Sequence, residues 1–169
     1  APPHAATMPR PPRSPGHQRL RIGRHSEPGR IYFLTAATAG RARLFEPWQA
    51  ACCMSRRLSN PELWPDATLL CWVLMPDHWH GLLRLENGGS LAQAMNTAKG
   101  RSAREFNSDL GRRGSVWAPG FHDRALRKDD NVRQAAGYLI SNPLRAGLSA
   151  SVGDYPFWNA IWLSDTAPL

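Results

Sequence analysis

Residues 67–85, ATLLCWVLMPDHWHGLLRL, constrain the fold more than any other stretch. The first part is a continuous apolar run, which reads as a central strand buried on both faces. Met75-Pro76-Asp77 interrupts it, because proline withdraws a ladder donor and aspartate favours a turn. HWHGLLRL then resumes as a strand, so the two halves close a hairpin. Side chains two residues apart on a strand share a face. His78 and His80 therefore project together, with Leu82 and Arg84 further along, while Trp79, Gly81 and Leu83 point the other way. A central strand that gives one face to two imidazoles implies that this face is a working surface.

The segments around the hairpin fill in the rest of a sheet. In RIYFLTAAT, Ile31, Phe33 and Thr35 alternate with Tyr32 and Leu34, the pattern of a first strand. PWQAACCMSRRL (47–58) reads as a helix that opens at a proline, with Trp48, Ala51, Cys52 and Leu58 on its apolar side. Ser90 is an N-cap for a helix over roughly 91–108, with Leu91, Met95, Ala98 and Phe106 on one side. Lys99, Arg101, Arg104, Arg112 and Arg113 occupy its other face and end. GSVWAPGFHDRALR (114–127) reads as a loop and a short strand. Asp129, Asp130 and Asn131 offer caps for a last helix that runs to about Asn142. The order is strand, helix, hairpin, helix, strand, helix. Its first five elements match an α+β fold, the ferredoxin-like split βαβ sandwich, with an additional C-terminal helix. In such a sheet the helices take one face, and the other is expected to stand open around His78 and His80. Residues 1–28 read as a flexible basic arm, 29–150 as the domain, and 151–169 as a tail.

Charge narrows the class of partner. Lys and Arg number 21 against 13 Asp and Glu, a net charge of +8, and only Lys99 and Lys128 are lysines. Arginine pairs bidentately with phosphate and stacks on bases, so the balance points to nucleic acid. The three cysteines, two of them adjacent, give neither a disulfide framework nor a cysteine zinc site, and they suit a reducing cytoplasm. No apolar run reaches the roughly 18–20 residues of a membrane helix, and the Pro- and Arg-rich start is not a secretory signal. Met8 is a candidate natural start, with residues 1–7 a remnant.

In the last helix, Val132, Ala136 and Leu139 form an apolar stripe, while Gln134, Tyr138 and Asn142 share another face. Tyr138 is thus a phenol beside two amides, and Pro143 ends the helix near Asn142. Taken alone, a histidine pair or a surface tyrosine has an ordinary structural explanation. Together, VLMPDHWHGLLRL and YLISNPLRAGL resemble the HUH single-strand DNA transposases with one catalytic tyrosine. They resemble most closely the REP-associated tyrosine transposases, with GRHSEPGRIYFLT (23–35) and WAPGFHDRALR (117–127) as flanking blocks.

The resemblance implies a nuclease and strand transferase acting on single-stranded DNA that carries a hairpin, the repetitive extragenic palindrome. It implies Tyr138 as nucleophile and a Mg²⁺ or Mn²⁺ ion on His78 and His80, with Asn142 as the third ligand. Gln134 and His122 are the competitors for that place. The cations expected to hold DNA are Arg21, Arg24, Arg84, Lys99, Arg101, Arg104, Arg112, Arg113 and Arg124, with His122. Trp79, Trp117, Trp158 or Trp162 are candidates for base stacking. The REP-associated group also implies a monomer acting in cis, with a dimer as the alternative. Two other functions remain open at this point: a hairpin-binding regulator that does not cut, and a metal-dependent hydrolase in which Tyr138 is structural.

Overall fold

The computed structural model describes residues 26–127 and 129–163. At its centre is a five-stranded sheet built from β1 (Ile31–Ala37), β2 (Ala67–Met75), β3 (His78–Leu85), β4 (His122–Ala125) and β5 (Trp158–Ala160). The order is β4-β1-β3-β2-β5, and every neighbouring pair is antiparallel. β2 and β3 are the expected hairpin. Helix α1 (Trp48–Ser59) connects β1 to β2, and α2 (Leu91–Asp109) connects β3 to β4. The order of the first four strands is that of the split βαβ sandwich read from the sequence. Ser90 caps α2 through Oγ, which accepts from the Gln93 N–H.

Strand alternation sorts the side chains into two cores. Tyr32, Leu34, Trp72, Leu74, Trp79, Leu83 and Leu85 pack against Met54 and Leu58 of α1 and Met95, Ala98 and Phe106 of α2. Trp79 stacks on Trp64 with ring centres 5.8 Å apart. Gly81 makes room for that indole: a Cβ there would lie 2.2 Å from the Trp79 ring. On the other face, Cys71, Val73, Met75 and Leu82 pack against Ala136 and Leu139 of α3 (Val132–Ile140). Asn131 caps α3, its Oδ1 accepting from the Gln134 N–H at 3.1 Å.

This second layer corrects the expectation of an open sheet face. The stripe Val132, Ala136 and Leu139 has to bury against something. It lies mainly on β2, reaching β3 and β5. His78 and His80 are therefore half-buried beside a helix instead of standing on a bare sheet. The helix is also shorter than expected. It stops at Ile140, and a separate turn, α4 (Asn142–Arg145), follows. Pro143 has no N–H to offer the Leu139 carbonyl, and the Asn142 side chain donates to that carbonyl instead at 2.9 Å.

Two more readings change. Trp48 is 66% exposed and sits against Phe157, and Cys52 is only half-buried; α1 buries Ala50, Ala51, Met54 and Leu58. At 3.6 residues per turn, Trp48 stands roughly 120° around the helix from Met54. The segment after Gly147 adds β5 to the edge of β2, where Trp158, Asn159 and Ala160 pair with Val73, Trp72 and Cys71. The Tyr155 hydroxyl ties it down by donating to the Leu74 carbonyl at 2.5 Å. Among the described residues, no helix is long and apolar enough to cross a membrane.

Candidate active site

β3 runs through the middle of the sheet, and its register places His80 between Thr35 of β1 and Val73 of β2. Each imidazole is held by its Nδ1. The Asp77 carboxylate lies 2.6 Å from His78 Nδ1, and the Thr35 hydroxyl lies 2.8 Å from His80 Nδ1. A carboxylate only accepts, so His78 carries its proton on Nδ1 and presents a bare Nε2. The Thr35 hydroxyl can donate or accept, so His80 either carries its proton on Nδ1 and leaves Nε2 bare or carries it on Nε2. The two Nε2 atoms face one another at 3.1 Å. One tautomer makes this contact an N–H···N hydrogen bond from His80 to His78; the other points two lone pairs at one place, which a cation between them would satisfy. Ligands roughly 2.1 Å from one ion stand about 3 Å apart when they are adjacent on it. Imidazoles pinned through the far ring nitrogen are typical of metal ligation. This donor set fits a divalent cation.

The surroundings keep the imidazole available. Burial, reinforced by the neighbouring His78 and by the charges of Arg145 and Arg41, pushes His80 down to about 4, against an opposing hydrogen bond to the main chain of Leu34. His80 is therefore neutral throughout the physiological range, with one ring nitrogen carrying a proton and the other free to accept. Burial works against the charge of Asp77, but the hydrogen bond from His78 and the charges of His78 and Arg41 outweigh it and hold the carboxyl below its usual range. Arg41 Nε stands 3.3 Å from Asp77 Oδ2. Among the described residues, no group of three or more His, Cys, Asp or Glu side chains gathers around a metal-sized space. The two imidazoles are thus the donors that such side chains offer here, with Asp77 behind His78.

Helix α3 supplies the phenol. Its inner side is buried, and Tyr138 is 61% exposed on the outer side. Arg145 lies over the ring, with Cζ 3.9 Å from the ring centre, and its Nη2 donates to the Tyr138 carbonyl at 2.9 Å. The charge of Arg145 also acts on His80. Asn142, at the start of α4, uses Nδ2 to cap α3. Gln134 lies exposed in the first turn of α3.

The sequence-selected cations divide between the two layers. His122 pairs with Thr35 and Arg124 with Phe33, so both share the histidine face. Two strand spacings, roughly 10 Å, separate His122 from His80. The Arg124 guanidinium lies 5.8 Å from the Phe33 ring centre, and that ring is 5.5 Å from His80. Arg84 is on the same face and binds Glu86 at 3.2 Å. Lys99, Arg101, Arg104, Arg112 and Arg113 sit on or just after α2, in the layer across the sheet. Three of them have structural partners: Lys99 binds the Ala118 and Gly120 carbonyls, Arg101 the Glu62 carbonyl, and Arg112 the Asn107 side chain. Arg104 and Arg113 are exposed. Arg21, Arg24 and the basic arm lie outside the described residues. Of the tryptophans offered for stacking, Trp79 and Trp117 are core, while Trp158 and Trp162 are half-buried.

Sequence reasoning passed over Asp77, read only as a turn residue, as well as Thr35 and Arg145. The signals were present: an acid directly before the first histidine, a hydroxyl in the first strand, and an arginine just after the helix break.

The family profile described as "Transposase IS200 like" matches residues 41–141, a span that contains His78, His80 and Tyr138 and ends just before Asn142. A curated relative, the REP-associated tyrosine transposase of Escherichia coli (strain K12), is 27% identical over 86 residues. That alignment covers 51% of this chain and 50% of the relative, so the chain matches about half the relative's length. A structure described as a REP-associated tyrosine transposase bound to a REP hairpin superposes with a TM-score of 0.64 at 22% identity, covering 80% of this chain and 79% of that one. A putative transposase from Deinococcus radiodurans R1 superposes at 0.50 with 23% identity, covering 71% and 95%. At these identities the superpositions establish a shared fold.

Proposed function

Because this chain belongs to the IS200-like transposase family, we propose that it nicks and rejoins hairpin-bearing single-stranded DNA of the repetitive extragenic palindrome type, with Tyr138 as nucleophile. The observation that carries the reading is the convergent pair of Nε2 atoms on His78 and His80, 3.1 Å apart, on the sheet face that α3, the helix of the exposed Tyr138, packs against. A protein that only binds hairpins has no use for two imidazoles locked by Asp77 and Thr35 with their Nε2 atoms converging. The hairpin bound in the similar structure supports the substrate class.

His78 and His80 would hold the cation, with Asn142 Oδ1 the proposed third protein ligand. A bound divalent ion draws charge from a non-bridging oxygen of the scissile phosphate and so favours attack. Tyr138 Oη forms a bond to phosphorus while the bond from phosphorus to the 3′ oxygen breaks. The phenolic proton passes to solvent, and the departing oxygen takes one up. The products are a 5′-phosphotyrosine and a free 3′-hydroxyl. One phosphoester replaces another, so a 3′-hydroxyl can reverse the step and join strands without a nucleotide cofactor. Imidazole is a softer ligand than Mg²⁺ prefers, which favours Mn²⁺ in vitro. The unit proposed is a monomer acting in cis in the cytoplasm.

The test is a hairpin oligonucleotide labelled at either end and incubated with the protein and Mn²⁺. The expected result is a denaturant-resistant adduct with the 3′-labelled DNA and a shortened free fragment from the 5′-labelled DNA. Tight hairpin binding with no adduct would show a non-cleaving regulator, and an adduct on the 5′-labelled piece would reverse the polarity.

A further inference from the structure

We propose that Arg145 is the positioning residue for the nucleophile: it clamps the Tyr138 ring and sets a guanidinium where the scissile phosphate must arrive. An exposed tyrosine on a helix samples several rotamers, whereas in-line attack needs one. Arg145 removes that freedom at two points. Its Cζ is 3.9 Å from the ring centre, and its Nη2 donates to the Tyr138 carbonyl at 2.9 Å. The chain break makes this possible. In an unbroken helix Arg145 would stand roughly 10 Å along the axis from Tyr138. Pro143 ends α3, and α4 turns back so that Arg145 meets the last turn of α3. Pro143 is itself buried, and its carbonyl accepts from the Leu148 N–H at 2.9 Å, so α4 is anchored.

Arg145 also differs from the arginines whose charge is spent on an acid. Arg30, Arg41, Arg43, Arg57, Arg84 and Arg101 each pair with a carboxylate. Among the described residues Arg145 has no such partner; it binds a carbonyl and a ring face, and its charge remains available to an anion. Guanidinium matches the oxygen spacing of phosphate.

The phosphate role rests on the transposase reading, while the clamp does not, so the experiment has two arms. In the free protein, ¹H NMR should show Arg145 side-chain protons shifted upfield by the Tyr138 ring. The shift should persist in Tyr138→Phe and vanish in Tyr138→Leu. In single-turnover cleavage at saturating hairpin and Mn²⁺, Arg145→Ala should slow the nick about 10- to 100-fold, the scale of a misplaced reacting group, with hairpin Kd within about 2-fold. Arg145→Lys keeps the charge without the planar stack and should fall between. No ring shift in the wild type overturns the clamp. Wild-type cleavage by Arg145→Ala, or a loss carried entirely by Kd or by lowered melting temperature, overturns the positioning role. If wild-type protein forms no adduct with any hairpin, the transposase reading and the phosphate role fall together, and the NMR arm still decides the clamp.

Discussion

Removing the Asp77 carboxylate isolates the least expected part of the site. Asp77 Oδ1 accepts from His78 Nδ1 at 2.6 Å, with the two side chains 22% and 16% exposed. A hydrogen bond to a charged group in such a setting contributes about 1.5–3 kcal/mol. In Asp77→Ala the imidazole loses both its fixed orientation and its preference for the Nδ1–H tautomer, so much of that energy is withdrawn from the metal-competent form. At 1.36 kcal/mol per tenfold, the cation affinity should fall roughly ten- to a hundredfold, the usual range for an outer partner of a ligating histidine. The fold should survive. The Asp77 carbonyl accepts from the Thr38 N–H at 2.9 Å and the Thr38 hydroxyl at 3.0 Å, and alanine keeps both bonds. The ion pair with Arg41 is held by an exposed guanidinium and is of small worth. Asp77→Asn retains an acceptor without the charge and should lose less. Calorimetric titration of DNA-free protein with Mn²⁺ measures the effect, with the melting temperature as control. A Mn²⁺ isotherm for Asp77→Ala that overlays the wild type would refute the argument that Asp77 sets up His78 as a ligand.

Three other outcomes follow from particular contacts. Asn142→Ala should raise the Mn²⁺ concentration needed for cleavage while leaving hairpin affinity unchanged; a shift seen instead in His122→Ala or Gln134→Ala would move the third ligand there. Gly81→Ala should cost about 1–3 kcal/mol in urea unfolding, because the Trp79 indole has nowhere to go, and should cost far less in a Trp79→Leu background. Burial pushes the Cys71 thiol and, against the opposing charge of Arg43, the Tyr155 phenol up to about 12 from ordinary values of 9.0 and 10.0. The unfolded chain releases these protons first, so stability present below pH 9 is lost as pH rises toward 12. Urea midpoints at pH 8 and pH 10.5 should fall less for Tyr155→Phe than for the wild type.

Much of the fold was legible because local signals agreed with one another. The apolar run of β2, the Pro76-Asp77 turn and the alternation of β3 left one hairpin; Ser90 placed one helix start, and Asp129, Asp130 and Asn131 bracketed the other, where Asn131 is the cap. The parts that were not legible depend on what packs where. The stripe on α3 declares that the helix must be buried, but not that it lies across the histidine face. Trp158-Asn159-Ala160 is too short to announce a strand, and it becomes one only beside β2. At the site, type, spacing and resemblance single out His78, His80 and Tyr138 as candidates. Asp77 and Thr35 were not, because their role comes from hydrogen bonds to a neighbouring ring. The distribution of arginines between two layers was equally invisible, since only the sheet order separates Arg124 from Arg101.

The account stands or falls on which atom takes the phosphate. Wild-type protein should be reacted with a 3′-labelled hairpin oligonucleotide and Mn²⁺, the DNA trimmed by nuclease, the protein digested and the peptides sequenced by mass spectrometry. The account predicts a nucleotide joined through its 5′-phosphate to Tyr138, within the peptide spanning Gln134 to Arg145, and no adduct of any kind in Tyr138→Phe at undiminished hairpin affinity. A nucleotide on Tyr155 or Tyr32, or an adduct that persists in Tyr138→Phe, would contradict it.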